Sequence, residues 1–409
     1  MRLRFFMIFV TAAILLAAAF ILMKFAQGYR IALDGKNLFQ KDSFKIASTG
    51  LLAATSNPDG ASIYINNHLT SATNTTIDLA PGEYTVRIVK EGYLPWEKKL
   101  KIQKEVVTQT QALLFPAAPK LESITATGVL NPTPDPTGST LAFGVASASA
   151  ARKNGVFVFD MNTRPILTLR SSSLQIADDT QDNLSGSKFS WSPNARELLV
   201  KTLRSKTVYR LNAGEFNSLP QDVTATIEAI KNQWQKEEDE KAKARLDSFK
   251  TPLAEFIAKN FRVSSWSTDN TKVLYEASQS ANPAAGGTKI PIFLDPPLLG
   301  ASTQKEERDI KKGNWYIYDT KEDKNFFIGV IDAVLPVPVW LPDNRHLVFV
   351  EDKQIKIVEY DATNKTVVYS GPFEQNFVYP WPDGSKLAIL ASLTPQAGAA
   401  SNLYTISLK

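Results

Sequence analysis

The longest apolar run of the chain extends from Phe5 to Met23 and contains no charged residue. As a helix it would be about 28 Å long at about 1.5 Å per residue, close to the roughly 30 Å hydrocarbon core of a bilayer. Basic residues flank the run on both sides. The pattern predicts an uncleaved transmembrane anchor over residues 1–24, with a cleaved signal peptide and a buried core helix as the alternatives. Because only a short basic tail precedes the run, we expect the bulk of the chain to lie outside the cytoplasm.

Residues 25–49 are predicted to form a stalk between the anchor and the first folded module. Basic side chains outnumber acidic ones in this part of the chain. A basic residue gains at most about 1 kcal/mol beside an anionic membrane surface. We therefore expect the stalk to lie near lipid headgroups.

Apolar and polar residues alternate with a period of two in short runs between residues 50 and 116. Ser62–Asn66, Glu83–Val89 and Lys99–Gln103 are the clearest runs, and Asn, Gly and Pro separate them. Such runs are typical of antiparallel strands with one buried face. Residues 50–116 are therefore predicted to form a small β-sandwich whose core is of marginal size.

Four motifs of this module are those of a known domain family: Pro58-Asp59-Gly60-Ala61, Ala61-Ser62-Ile63-Tyr64-Ile65-Asn66, Leu79-Ala80-Pro81-Gly82-Glu83-Tyr84 and Lys90-Glu91-Gly92-Tyr93. The module resembles the PEGA domain, whose signature reads Pro-Glu-Gly-Ala, and Asp59 is the one departure from that signature. The resemblance implies a surface-associated β module without known catalysis. We expect Gly60 and Gly82 to occupy turns with positive φ.

A unit of two strands joined by a tight turn recurs between residues 120 and 409. Its five copies begin at Pro136, Trp191, Trp266, Trp340 and Pro382. A third strand that ends in a polar residue follows each copy. Strand-only repeats indicate a β-propeller, because one four-stranded blade cannot bury its own faces. Without its two inserts, the region has room for five blades of about 40–45 residues each.

The repeat resembles that of TolB-type β-propellers, in which the turn reads Ser-Pro-Asp-Gly and the third strand reads like Ile-Tyr-Val-Met-Asp. This resemblance implies a propeller and indicates little about function. The family propeller has six blades, so five blades would be a departure. We also expect residues 120–125 to pair with residues 403–408, because that pairing would close the ring and cover a sheet edge.

The first insert, residues 222–260, is predicted to be helical. Its apolar stripe consists of Val223, Ile227, Ile230 and Trp234. Glu237 and Lys241 are placed to form an i,i+4 ion pair on the solvated face. Thr251 is the expected N-cap of a second helix, with Pro252 in its first position. The insert is interpreted as a decoration packed on the propeller, and a docking arm for a partner is the alternative.

The second insert, residues 278–313, is rich in Pro, Gly, Ala and Ser. Long loops in compact domains are usually functional or disordered. Its apolar, proline-stiffened part is expected to pack on the propeller, with partner binding as the alternative.

Composition excludes several kinds of chemistry. The chain has 0 Cys and 2 His, so cysteine nucleophiles, thiolate metal sites and multi-histidine metal centres are absent. A net charge of +5 without a basic block argues against nucleic-acid binding. The chain contains neither a G-x-S-x-G motif nor a Walker-type phosphate loop. We therefore predict no enzyme activity, no cofactor and no catalytic or metal-binding residue, and the sequence leaves the binding residues unknown.

The two histidines and the recurring tryptophans receive structural interpretations. His346 is expected to be an exposed strand residue, and His68 is expected at an exposed hairpin tip. Trp191, Trp266 and Trp340 occupy one position of the repeat. Recurrence at a structural position favours blade packing over a stacking platform for sugars or peptides.

The pattern as a whole predicts a mainly β protein of the cell envelope: a membrane-anchored, extracytoplasmic scaffold that binds protein partners without catalysis. The alternative is a protein that binds cell-envelope glycan through aromatic residues near the ends of the blades. An exposed apolar patch would favour the protein partner. Several exposed aromatic residues around one pocket, with polar groups between them, would favour the glycan.

Overall fold

The computed structural model describes residues 2–26, 29–33, 44–147, 150–162, 173–278, 288–294, 304–393 and 400–409. The chain divides into two compact units. The first comprises residues 1–114 with 299–304, and the second comprises residues 115–298 with 305–409. Most of the elements in both units are β-strands.

The N-terminal part of the first unit contains one helix and one pair of strands. Helix α1 spans Arg2–Ala26, and β1 (Tyr29–Leu33) pairs antiparallel with β2 (Phe44–Ser48). In the part of the chain that the structure describes, no helix combines the length and the apolar character needed to cross a membrane. The transmembrane anchor over residues 1–24 stays a prediction. The predicted stalk, residues 25–49, contains the two paired strands.

Seven further strands of the first unit form two facing sheets. They are β3 (Gly50–Asn57), β4 (Ser62–Ile65), β5 (His68–Ala72), β6 (Thr75–Leu79), β7 (Gly82–Val89), β8 (Trp96–Ile102) and β9 (Val107–Leu113). The strand orders are β6-β3-β9 and β5-β4-β7-β8. Side chains from both sheets share one buried cluster, which includes Leu52, Ile63, Ile88 and Leu100. The alternating pattern therefore produces the expected sandwich, because every second side chain faces the opposite sheet.

Two details of this module differ from the prediction. Strand β3 pairs with β9 in parallel, whereas only antiparallel pairs were expected. The first and last strands of the sandwich lie side by side in one sheet, and the intervening chain crosses to the other sheet twice, since β6 also belongs to the first sheet. Gly60 has the expected positive φ of 71°. The expectation for Gly82 is wrong, because Gly82 is already the first residue of β7 and pairs with Ile102.

The second unit contains five antiparallel sheets of four strands, here called blades 1 to 5. Strand β10 (Leu121–Ser123) precedes them. Blade 1 contains β11 (Leu130–Pro134), β12 (Thr140–Val145), β13 (Gly155–Asp160) and β14 (Ser173–Asp178), with a short 3₁₀ helix at Ala151–Lys153. Blade 2 contains β15 (Lys188–Trp191), β16 (Glu197–Lys201), β17 (Val208–Asn212) and β18 (Gln221–Asp222). Blade 3 contains β19 (Phe261–Trp266), β20 (Lys272–Ala277), β21 (Asn314–Asp319) and β22 (Lys324–Val330).

The last two blades complete the set. Blade 4 contains β23 (Val339–Trp340), β24 (His346–Glu351), β25 (Gln354–Glu359) and β26 (Thr366–Tyr369). Blade 5 contains β27 (Val378–Pro380), β28 (Lys386–Ala391) and β29 (Asn402–Ser407), and its fourth strand is β10. The antiparallel register joins Leu121 to Ile406 and Ser123 to Tyr404. The predicted pairing is thus confirmed, and it covers an edge of β29 that would otherwise expose unpaired backbone groups.

Neighbouring blades contact each other through shared apolar clusters. One cluster joins blades 5 and 1, a second joins blades 1 and 2, and a third joins blades 3 and 4. Strands β23 and β24 of blade 4 pack against β27 of blade 5. The turns also meet, since the Asp269 backbone N–H of blade 3 donates to Asn344 Oδ1 of blade 4 over 3.0 Å. These contacts link the blades in the order 3-4-5-1-2, as in a β-propeller.

The helical insert lies between blades 2 and 3 in sequence and contacts both of them. It consists of α2 (Ile227–Leu246) and α3 (Thr251–Asn260). The apolar stripe of α2 packs on Leu199 and Val208 of blade 2. At the other end of α2, the Arg245 guanidinium lies 5.6 Å from the centre of the Trp266 ring of blade 3. The insert therefore bridges the two blades, which confirms that it packs on the propeller.

Two finer predictions for the insert are wrong. Lys241 Nζ donates to the Pro193 carbonyl over 2.9 Å, while Glu237 accepts a hydrogen bond from Gln233. The lysine therefore fastens α2 to blade 2 rather than pairing along the helix. Thr251 is the first residue of α3, and the N-cap is Lys250 in an extended conformation.

The described part of the second insert packs on blade 3, as expected. Ile290 and Ile310 are almost completely buried in the cluster that contains Tyr275 and Tyr318. Asp323 Oδ2 accepts the backbone N–H groups of Phe293 and Leu294 over 2.6 and 2.9 Å. Apolar contacts and a buried carboxylate thus hold this insert on the blade.

Candidate functional site

The sequence assigns no catalytic, cofactor-binding or metal-binding residue, so the candidate sites are the cavities of the propeller unit. Within the described ranges, no group of three or more His, Asp and Glu side chains could hold a metal ion. Three cavities differ in their lining. The largest, about 800 Å³, lies between blades 1 and 2. Its polar lining is paired internally, for example by the Arg210–Glu197 ion pair.

A central cavity of about 490 Å³ is lined by the first strands or first turns of blades 1, 3, 4 and 5. Its aromatic side chains are Trp266, Trp340, Tyr379 and Trp381. Its hydroxyl side chains are Thr137, Ser264, Ser265 and Thr268, and its prolines are Pro136, Pro338, Pro342, Pro380 and Pro382. Among the described residues that line it, none carries a charge. The central cavity therefore combines rings and hydroxyl groups in an uncharged wall.

The repeat explains why tryptophans reach this place from different blades. Trp191, Trp266 and Trp340 occupy the same register position in their first strands, opposite Leu198, Val273 and Leu347. In blade 5, Pro380 takes this position opposite Leu387, and Trp381 follows it. Trp191 Nε1 donates to the Thr133 carbonyl of blade 1 over 3.0 Å. Blade packing is thus observed, but Trp266 and Trp340 also line the cavity, a role that the sequence analysis ranked second.

Two residues that line the central cavity each carry a buried polar atom with no hydrogen-bond partner in the described part of the chain. These atoms are the indole N–H of Trp340 and the hydroxyl of Ser265. Both atoms are buried, and Trp340 is only 7% exposed. An unmade hydrogen bond at a buried group costs about 1–3 kcal/mol. These atoms could not have been found from the sequence, because neither residue stands out from its copies.

The phenol of Tyr379 is a neutral group at physiological pH. Burial, together with the nearby Asp135 carboxylate, raises its pKa to about 12. The central cavity therefore keeps its uncharged character over the whole pH range in which proteins usually function.

An outer groove of about 210 Å³ lies between β22 of blade 3 and β24 of blade 4. Its apolar lining is Trp315, Ile328, Val330, Leu335, Pro336, Pro338, Phe349 and Val350. Val330 is 74% exposed, and Val334, in the loop that forms one wall, is 85% exposed. We call this lining, together with Val334, the blade 3–4 groove. Val330 and Val334 are its most exposed apolar side chains.

Two acidic side chains at the rim of the blade 3–4 groove are paired with lysine. Lys356 Nζ lies 2.7 Å from Glu351 Oε2 and 3.0 Å from Asp352 Oδ2. The hydrogen bond from Lys356, with a second from Lys365, lowers the pKa of Glu351. This part of the rim is therefore polar and locally balanced in charge, and a polar rim is common around an apolar contact surface.

The two histidines behave differently. His68 is exposed at the hairpin between β4 and β5, as predicted. The prediction for His346 is wrong, because the residue is only 2% exposed. Its ring packs edge-on against Phe115, and Nδ1 lies 2.5 Å from Asp343 Oδ2. His346 thus fixes the turn of blade 4 in the interior of the propeller unit.

One protein family and several solved structures match parts of the chain. Residues 49–117 match the PEGA domain family, which confirms the resemblance of the β module. No curated protein matches the chain. The TolB structure of Acinetobacter baumannii is 10% identical with a TM-score of 0.25, and the match covers 79% of this chain and 59% of that one. The β-propeller domain of Myceliophteria thermophila Cps50 (Swd1) is 11% identical with a TM-score of 0.29, and the match covers 71% of this chain and 100% of that one.

A structure from Agrobacterium tumefaciens of the TolB type is 13% identical with a TM-score of 0.22, and the match covers 68% of this chain and 72% of that one. The structural neighbours of this chain therefore include TolB β-propellers.

Proposed function

We propose that the protein is a scaffold of the cell envelope that recognises protein partners non-covalently and has no enzyme activity. The PEGA module and the propeller-like unit with TolB-type neighbours are consistent with a binding role. The observation that carries the proposal is the blade 3–4 groove, in which Val330 and Val334 expose most of their apolar surface.

The apolar contribution of this groove is large enough to matter for affinity. Burying one exposed valine side chain contributes about 1.5–3 kcal/mol, and each 1.4 kcal/mol changes affinity about tenfold. The neutralised acidic rim adds selectivity more than strength. A partner that inserts an apolar side chain beside Val330 therefore gains much of its affinity at this place.

The test is a charge introduced into the groove. We expect Val330→Asp to weaken the capture of envelope proteins by the purified full-length protein about tenfold or more, because a carboxylate would be desolvated at the contact. Quantitative mass spectrometry of the captured proteins measures the effect.

Leu219→Asp is the matched control, because Leu219 is 80% exposed but lies beside the cavity between blades 1 and 2. Equal losses for both variants would show that general surface hydrophobicity, and not the groove, holds the partners.

We propose a location at the cell membrane with most of the chain on the extracytoplasmic side. The apolar run from Phe5 to Met23 and its basic flanks support this location. We expect the protein to remain with the membrane fraction after a high-salt wash and to be digested by protease added to intact spheroplasts. Recovery in the cytosolic fraction, protected from the protease, would contradict the proposal.

Glycan binding is the second candidate function. A different observation favours it, namely the four aromatic side chains with interspersed hydroxyl groups around the central cavity.

A further inference from the structure

We propose that the central cavity of the propeller unit is a binding site for an uncharged saccharide. The site specifies the glycan alternative and does not depend on the blade 3–4 groove. Its volume of about 490 Å³ lies within the range of about 300–1,000 Å³ that is usual for small-molecule sites.

The aromatic side chains match the apolar faces of a sugar ring. A pyranose presents C–H groups on its faces and hydroxyl groups at its edge. Tryptophan and tyrosine offer a broad apolar surface together with one polar atom. The central cavity has Trp266, Trp340, Tyr379 and Trp381 on its wall, and they come from three blades. Phe249 already stacks on Trp266, so a sugar ring would contact the aromatic surface that faces the cavity.

The absence of charge selects the class of sugar. None of the described residues that line the central cavity is Asp, Glu, Lys, Arg or His. A charged ligand would lose its hydration there without gaining an ionic partner, which is strongly unfavourable. Uronic acids, phosphorylated sugars and nucleotides are therefore excluded, while neutral and N-acetylated sugars are compatible.

The two unpartnered polar atoms fit the edge of such a ligand. Trp340 Nε1 can only donate a hydrogen bond, whereas the Ser265 hydroxyl can donate or accept one. A sugar hydroxyl does both, so it can pair with either atom. Each bond formed removes the cost of a buried group without a partner.

The prolines of the wall favour a saccharide over an extended peptide. Recognition of a peptide main chain by strand addition requires backbone N–H groups on the receiving surface. Proline has no backbone N–H, and it occupies five places on this wall, including Pro342 and Pro380. The side chains of the wall add hydroxyl, phenol and indole donors, which suit the hydroxyl groups of a sugar.

The experiment is a fluorescence titration of the full-length protein with cellotriose and with N,N′-diacetylchitobiose. Three of the seven tryptophans line the central cavity, so saturable quenching is expected. Trp340→Phe keeps an aromatic ring but removes the N–H, and we expect it to weaken binding about tenfold. Ser265→Ala is expected to weaken binding by a smaller factor. Trp234→Phe is the matched control, because Trp234 belongs to the apolar stripe of α2 and not to the cavity wall. The sugar affinity of this variant should equal that of the wild type.

Near-ultraviolet circular dichroism of each variant checks that the fold is retained, and Ser265→Ala replaces Trp340→Phe if the latter unfolds. The proposal is overturned if neither sugar binds at about 10 mM, a concentration at which even millimolar affinity is visible. It is also overturned if Trp340→Phe and Ser265→Ala bind sugar as tightly as the wild type, or if a hexaproline peptide binds the cavity and the sugars do not. Loss of partner capture in Val330→Asp with sugar binding intact would show that the two sites are separate.

Discussion

Replacement of Gly144 by alanine is expected to lower the free energy of unfolding by about 3 kcal/mol. Gly144 lies in β12, and a Cβ atom added there would stand 1.7 Å from the carbonyl oxygen of Ser185. Ser185 is completely buried in the segment that leads from blade 1 to blade 2. Because the obstacle is backbone, the clash cannot be relieved by rotation of a side chain. Urea unfolding with an unchanged m-value measures the loss.

Gly329→Ala is the control for this experiment. Gly329 also lies in a strand, β22, but no described atom lies within 4 Å of the position of an added Cβ. We expect its effect to stay within about 0.5 kcal/mol, the usual range for surface substitutions. Equal destabilisation by the two variants would mean that glycine flexibility, and not the close approach of the two segments, decides stability at position 144.

Asp323→Ala is expected to destabilise the protein by about 3–5 kcal/mol and to release the second insert from blade 3. The carboxylate is only 4% exposed in its side chain and accepts hydrogen bonds from Phe293, Leu294 and the Tyr318 hydroxyl. It also faces the Arg308 guanidinium at 3.4 Å. Without it, several buried donors lose their acceptor at the same time, and Glu306 is the carboxylate that still pairs with Arg308. We expect faster trypsin cleavage after Lys289 and Arg308 in the folded protein.

Two variants make this prediction specific. Asp323 has a φ of 51°, a conformation that asparagine tolerates better than alanine. Asp323→Asn therefore removes the charge without adding backbone strain. We expect it to lower the free energy of unfolding, but by less than Asp323→Ala does. Asp239→Ala removes an exposed carboxylate whose hydrogen bond comes from Gln235, and it should leave the cleavage rate unchanged. Wild-type resistance to trypsin in Asp323→Ala would show that apolar contacts alone hold the insert.

Local features of the sequence were enough to predict most of the elements. The two-residue alternation in the first module and the turn signals of the propeller repeat depend only on neighbouring residues, and each produced a strand or a turn where expected. The stripe at Ile227, Ile230 and Trp234 predicted α2 for the same reason. The count of five blades followed from the period of the repeat, and the pairing of residues 120–125 followed from the need to cover the edge of the last sheet.

Features that join distant segments could not be derived in this way. His346 looks like an exposed strand residue until Phe115 and Asp343 are placed around it. Gly82 has the composition of a turn, yet its pairing with Ile102 makes it part of a strand. Lys241 has a suitable partner on its own helix but donates to Pro193, because α2 lies against blade 2.

The sequence by itself determined the modules of this protein: a PEGA-like sandwich and five repeats of one strand–turn–strand unit with two inserts. Period and turn chemistry are properties of short segments, so they can be read without knowledge of the remainder of the chain. Only the tertiary structure decided the candidate sites. Trp266, Trp340, Tyr379 and Trp381 come from three different blades, and they surround one cavity because the first strands of those blades converge. A binding surface of this kind is a property of packing, and packing depends on contacts between residues that are far apart in the chain.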